Sequence, residues 1–386
     1  MPTNYLFQTE HPQLNYVLFF EIMRDFRKGG LNPANYEEFI SLVRKLPPIQ
    51  IRDEEDYKVF DHLSLTDIYE DDFSVVMREI FKRGVENSKK CWHPEAGIQT
   101  CKLDKAGKIL VSAAHSIQNN GVLSKISKDG HVTTYSRDSA GFNGKKVGKG
   151  LASIFWGFCN NHDSMFKPIE SGGYVGTKEQ NFLYAYRAFV VASHKKLEAS
   201  SYIVFGEQAT NDINATKEIF DHAIISKNYE AIETHSIKLS LPYPIAVSTS
   251  FYLDFDFKGN AIPHSDDRME TIFITVFPDN GKTYLLLSYL VQDKLLYSKL
   301  VEQLESRGKL KSDITVLLAA HVENIYFEPL YFKTFIEEQA PKIESVFKQA
   351  QFDIQQLDGM GNKISSISLT PSDYLDNKFE LNFFGY

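Results

Sequence analysis

The chain has 386 residues, 43% of them hydrophobic and 24% charged, a balance that can bury a core, and its 29 Phe and 20 Tyr argue against disorder. Its net charge of −8 is unevenly spread: between Phe81 and Gly150 thirteen Lys and Arg stand against five Asp and Glu, a local +8 inside an otherwise acidic protein. No apolar run approaches the roughly 20 residues that span a bilayer. The opening MPTNYLFQTEHPQLNYVLFFEIMRDF lacks the basic start and small-residue cleavage site of a signal peptide, so the expectation is a cytoplasmic protein that does not engage membranes.

In chain order, helical spacing of apolar residues predicts helices over residues 12–29, Asn35–Lys45 and roughly Leu65–Asn87, with Gly29-Gly30 and Pro47-Pro48 as stops. Residues 1–90 therefore read as a helical N-terminal region. Residues 91–175 are short-patterned, glycine-rich and basic. Lys108–Ala113 reads as a strand leading into His115, Asn120–Ser127 as a short helix, and His131–Tyr135 as a second strand. A Gly/Lys loop follows over 141–150. The aromatic stretch ASIFWGFC then reads as a strand to Cys159, with a helix opening at Asn160 or Asn161. Residues 176–234 form a helical connector, with helices over Thr177–Ala199 and Asn214–Lys227. From 235 to 386 the period changes to strands (SIKLSL, AVSTSFYLDFDF, ETIFITVF, KTYLLLSYL) separated by turn signals such as Asp279-Asn280-Gly281. A helix over Gln292–Ser306, a strand over Asp313–Ala319 and a helix over Tyr331–Gln349 complete the chain. The fold class is α+β, with a C-terminal mixed sheet carrying helices.

All three cysteines of the chain fall between positions 91 and 159, which suggests a shared task rather than a disulfide framework. Zinc takes four thiolate and imidazole ligands, usually as two close pairs from separate turns. Cys159 and His162 form such a pair, because two intervening residues let both side chains converge on one ion. Cys91 and Cys101 supply the other pair at an irregular spacing, and His93 is a fifth candidate that could replace one of the cysteines. Three unlinked buried thiols are the competing explanation.

Between the pairs lies Ala113-Ala114-His115-Ser116-Ile117 at the end of a predicted strand, and downstream comes FCNNHDSMF. Over about residues 91–170 the sequence resembles the HNH, or ββα-metal, endonucleases, in which a strand ending in histidine is followed by a second strand, a cysteine-led zinc pair and a helix. The resemblance implies a structural Zn2+ on Cys91, Cys101, Cys159 and His162. It also implies a general base at His115 and an oxygen ligand for a catalytic Mg2+ or Mn2+ at Asp163, where the family carries a histidine. Asn143 would take the middle position, and Glu170 could join the site. The implied activity is metal-dependent hydrolysis of DNA or RNA, as in a prokaryotic defence-type effector, with the basic segment docking the polyanion. The first pair is not Cys-x-x-Cys, and an insert (NGVLSKISKDG) lengthens the hairpin.

Two other readings stay open. One is a non-catalytic zinc-stabilised module that binds nucleic acid or a protein, with a protein partner or oligomer contacting the C-terminal domain. The other is an NAD-dependent ADP-ribosyltransferase-like enzyme, suggested by HSIQNNGVLSKISKDGHV. His321 with Glu323 reads as a strand end. Asp254 and Asp256 read as one face of a strand, and His264, Asp266 and Asp267 as a loop; none is expected to hold a metal.

Overall fold

The computed structural model describes residues 82 and 84–385, except 139–140, 200–206, 254, 266–267, 269, 352–353, 358–362 and 368–376. The helices expected over 12–29 and 35–45, and most of that expected over 65–87, lie outside the described residues; 84–88 are helical. The chain divides into two compact units, residues 1–89 with 193–210 and residues 90–192 with 211–386. Among the described residues, no helix is long and apolar enough to cross a membrane.

The second unit carries every candidate residue. Besides a separate antiparallel pair, Ile354–Leu357 with Lys363–Ile367, its strands are β1 (Val111–His115), β2 (His131–Asp138), β3 (Gly141–Gly148), β4 (Ile154–Cys159), β5 (Ile232–Leu239), β6 (Ile245–Phe251), β7 (Ile272–Asp279), β8 (Lys282–Leu290) and β9 (Ile325–Phe327). Strands β1 and β4 form a small two-stranded sheet, while the others make a seven-stranded sheet in the order β3-β2-β9-β6-β7-β8-β5. The fold is α+β as expected, and the large sheet is antiparallel in each of its pairings. At β7–β8 the direction is set locally, because the two strands are joined through Asn280 (φ 47°) and Gly281 (φ 72°), both left-handed. That is the two-residue turn that matches the twist of paired antiparallel strands.

The main helices are α1 (Asn160–Asp163), α2 (Lys167–Glu170), α3 (Lys178–Ala199), α4 (Glu207–Ser226), α5 (Lys294–Ser306), α6 (Leu310–His321) and α7 (Ala340–Gln351). Every residue of β7 is buried, because both faces of the large sheet are covered. On one face Ile274, Leu285 and Phe327 pack with Leu300, Ile314 and Ile343 of α5, α6 and α7 and with Phe383. On the other face Ala246, Phe277 and Leu286 pack with Ile117, Leu123 and Tyr174. The hairpin β2–β3, which lies in sequence between β1 and β4, thus joins the large sheet, and it pairs with β9 through Thr133 and Phe327.

Three local expectations are corrected. The Gly/Lys stretch 141–148 is strand β3, paired with β2 from Asp138–Gly141 to His131–Gly148. A partner strand and an aromatic cover supply what its own composition lacks: a Cβ at Gly144 would lie 2.3 Å from the Phe332 ring. Asp313–Ala319 is helical, inside α6, whose residues 313 to 320 are all buried; when a helix is covered all round, its apolar run carries no 3.6-residue period to tell it from a strand. Strand β6 stops at Phe251, and Asp256 sits in a turn where its carboxylate accepts from the backbone N–H of Lys258 and Asn260.

Candidate metal centre and adjoining polar site

Cys159 ends β4, paired with Val111, and His162 lies one turn later in α1. Cys91 reaches them through a bulge. Between Ser112 and Ala114 the β1–β4 register shifts, which frees the Trp156 and Gly157 carbonyls to accept from the backbone N–H of Lys90 (3.3 Å) and Trp92 (2.9 Å). Gly157 suits the bulge because a Cβ there would lie 2.3 Å from the Phe155 ring. Trp92, 1% exposed, anchors the segment, and its carbonyl accepts from the Tyr186 hydroxyl of α3. Cys101 follows a turn closed by its own N–H on the Gly97 carbonyl, 2.9 Å. Asn161 ties that turn to α1 by donating to the Thr100 carbonyl.

These segments bring together one nitrogen and three sulfurs. His162 Nδ1 lies 3.4 Å from Cys91 Sγ, 3.5 Å from Cys101 Sγ and 3.3 Å from Cys159 Sγ. The four donor atoms all lie within 4.8 Å of one another. One ring nitrogen carries at most one proton and cannot hydrogen-bond three thiols at once. With metal–sulfur bonds of about 2.3 Å and metal–nitrogen bonds of about 2.0–2.1 Å, a tetrahedral ion sets sulfur–nitrogen edges of roughly 3.6 Å. The three sulfur–nitrogen separations are close to those edges, so the cluster could hold a metal ion, and the three cysteines are free of disulfides.

The electrostatics follow from burial without an ion. Burial pushes the Cys91 thiol up to about 12, and raises Cys101 as well. Burial also works against the Cys159 thiolate, yet the backbone N–H groups of His162 and Lys102 hold it below its usual value. Burial lowers His162, leaving the neutral imidazole a metal takes. His93 is not placed as a ligand: its ring stacks on His162, centroids 4.0 Å apart and planes 6° from parallel, and its Nδ1 accepts from the Glu95 N–H.

His115 stands at the opposite end of the small sheet, paired with Ile154. Four residues of strand put it about 13 Å along the hairpin from the cysteine end. Its Nδ1 faces the Ala152 carbonyl at 2.9 Å. A carbonyl only accepts, so Nδ1 carries the proton and Nε2 keeps its lone pair. Burial lowers the His115 pKa, the Ala152 contact opposes this, and the Arg187 and Glu170 charges act in opposite directions. The same two charges bear on Asp163, whose carboxyl is raised first by burial.

Arg187 was not singled out by the sequence. It is 3% exposed, pairs with Glu170 and lies over the Phe166 ring at 4.0 Å. The lone cation inside the apolar stretch FLYAYRAFVV is the signal that could have found it. Asn143 is on edge strand β3 opposite Ser136, in a different sheet from His115. His321, expected at a strand end, closes α6 with its ring stacked on Phe251. His264 is held between the Glu270 carboxylate and the Leu253 carbonyl.

The chain matches no protein-family model, no curated protein and no solved structure.

Proposed function

We propose that this chain is a metal-dependent nuclease in which Cys91, Cys101, Cys159 and His162 hold a structural Zn2+ and His115 is the general base. The observation that carries the reading is the state of His115. Its Nδ1 is held on a backbone carbonyl, burial lowers its pKa and so favours the neutral ring, Nε2 has no hydrogen-bond partner within the described residues, and it lies within electrostatic reach of a buried guanidinium and a carboxylate. A base for water needs that tautomer and that lone pair. The order β1, β4, α1, α2, with the cysteine pairs at one end and His115 at the other, supports the same reading.

Among the described residues, no second group of three His, Cys, Asp or Glu side chains lies close enough to share an ion. Magnesium commonly takes only one or two carboxylates, with water and substrate phosphate completing its shell. Asp163 and Glu170 offer hard oxygen donors of that kind. A Mg2+ or Mn2+ ion held there would stabilise charge on the leaving oxygen. Arg187, braced by Phe166 and Glu170, adds fixed positive charge for a phosphate. The exposed Lys145 and Lys146 of β3 offer further contacts for a polyanion backbone.

The decisive comparison is wild type against His115→Ala with DNA and RNA substrates in Mg2+ or Mn2+. Cleavage should disappear while zinc content and substrate binding persist. Undiminished cleavage in the variant removes His115 from the chemistry. If wild type binds nucleic acid but cuts neither substrate, the non-catalytic zinc module is the better description.

A further inference from the structure

The turn that fixes His115 is strained, and the large sheet holds it. Ser153 is a non-glycine residue in the left-handed region, with φ 57°, and it is 5% exposed. Such a conformation persists only where its surroundings enforce it, and strain of this kind gathers at functional sites. Ser153 directly follows Ala152, whose carbonyl sets the His115 tautomer.

Two side chains from one short segment of the large sheet brace this turn. The Tyr326 hydroxyl accepts from the Ser153 N–H at 2.8 Å. Asn324 Nδ2 donates to Ser116 Oγ at 2.9 Å and to the Ser248 carbonyl at 2.6 Å. Ser116 Oγ in turn donates to the Ser153 carbonyl at 3.1 Å. Ser116 follows His115 in sequence, so the two braces grip both chain segments that carry the imidazole and its acceptor. Strand alternation makes this possible: Ile325 and Phe327 enter one core while Tyr326 faces the other side of the sheet. Tyr326 is itself fixed opposite Ala246 of β6, near mid-sheet.

We infer that Tyr326 and Asn324 are positioning residues for His115, acting through Ser153 and Ser116, so that the C-terminal sheet sets the tautomer of the imidazole. The functional consequence rests on the nuclease reading, whereas the tautomer itself does not. Loss of the Tyr326 hydroxyl leaves Ser153 N–H without its acceptor and frees the turn to leave the left-handed region. The Ser153 side chain adds a local tie, its Oγ accepting from the Ile117 N–H at 3.3 Å and donating to the Ile117 carbonyl at 3.1 Å.

The test uses the zinc-loaded full chain and long-range proton–nitrogen NMR of the His115 ring, assigned by its disappearance in His115→Gln. Wild type should show the Nδ1–H tautomer, and Tyr326→Phe a mixture. Tyr326→Phe should also lower kcat by about ten- to a hundred-fold with KM and zinc content unchanged. An unchanged tautomer in Tyr326→Phe overturns the inference. If wild type has no nuclease activity but the tautomer responds, the positioning inference stands and the nuclease reading falls. Should Tyr326→Phe not fold, Asn324→Ser read by the same ring signals decides, and an unaltered ring there overturns the inference equally.

Discussion

Replacing Cys159 by serine tests the metal centre at its best-anchored ligand. His162 and Cys91 lie 71 positions apart, and His162 and Cys101 lie 61 apart. A bound ion therefore closes a loop of about 70 residues. By the chain-entropy argument used for disulfides, such a closure removes roughly 15 cal/mol/K from the unfolded chain, about 4 kcal/mol at 25 °C. Ligand linkage gives a similar figure, about 4 kcal/mol for an ion a thousandfold above its Kd. For a unit of this size each kcal/mol moves Tm by about 2–4 °C. Cys159→Ser should thus lose its zinc and melt about 8–16 °C lower, and chelation should bring wild type down to the same value. Elemental analysis checks the stoichiometry, with about one zinc per wild-type chain. Cobalt substitution checks the ligands through the visible absorption of a tetrahedral thiolate-rich site. A variant that keeps a full equivalent of zinc, or a wild-type Tm indifferent to chelation, would refute the reasoning.

Other perturbations probe the surroundings. The His321 ring, stacked on Phe251, has its pKa pushed down by burial to about 4. The unfolded chain takes that proton first, near pH 6.5, so the contribution is complete above pH 6.5 and is lost as pH falls toward 4, by about 3 kcal/mol. Denaturant midpoints of wild type and His321→Gln between pH 7 and 4.5 should show a shallower acid decline in the variant; parallel declines would count against the assignment. Arg187→Met removes the 3% exposed partner of Glu170 and should cost about 3 kcal/mol in chemical denaturation while zinc content stays unchanged; a loss under 1 kcal/mol would show that the pair is not held as described. Lys145→Ala with Lys146→Ala should weaken nucleic-acid binding and reduce the slope of log K against log salt by about 0.9 for each duplex phosphate that is no longer neutralised. An unaltered slope in a salt titration would place the polyanion elsewhere.

Parts of this architecture can be read from neighbouring residues alone. The strand–helix junction at Cys159 and Asn160 is legible because aromatic and β-branched residues stop where Asn-Asn-His-Asp begins. The β7–β8 hairpin is legible because Asn280-Gly281 suits few turns other than the one it makes. The four ligand candidates stood out because few side chains bind zinc and all three cysteines lie in one stretch. Their convergence through a bulge in β4, with His93 stacked outside rather than coordinating, depended on Gly157 and on the backbone of residues 90–92.

The remaining features belong to the tertiary structure. Strand β3 has a strand's conformation because β2 lies beside it and Phe332 covers it, neither of which its Gly/Lys composition reveals. Helix α6 lost its periodic signature because it is buried all round. The surroundings of His115 come from residues far along the chain: Arg187 from α3, Ala152 and Ser153 from the turn before β4, Asn324 and Tyr326 from the β9 segment. Local propensity and ligand chemistry act over a few residues and leave their mark in the sequence. The tautomer of an imidazole, the burial of an arginine and the strain in a turn are set by which distant segments pack against them, and only folding brings those segments together.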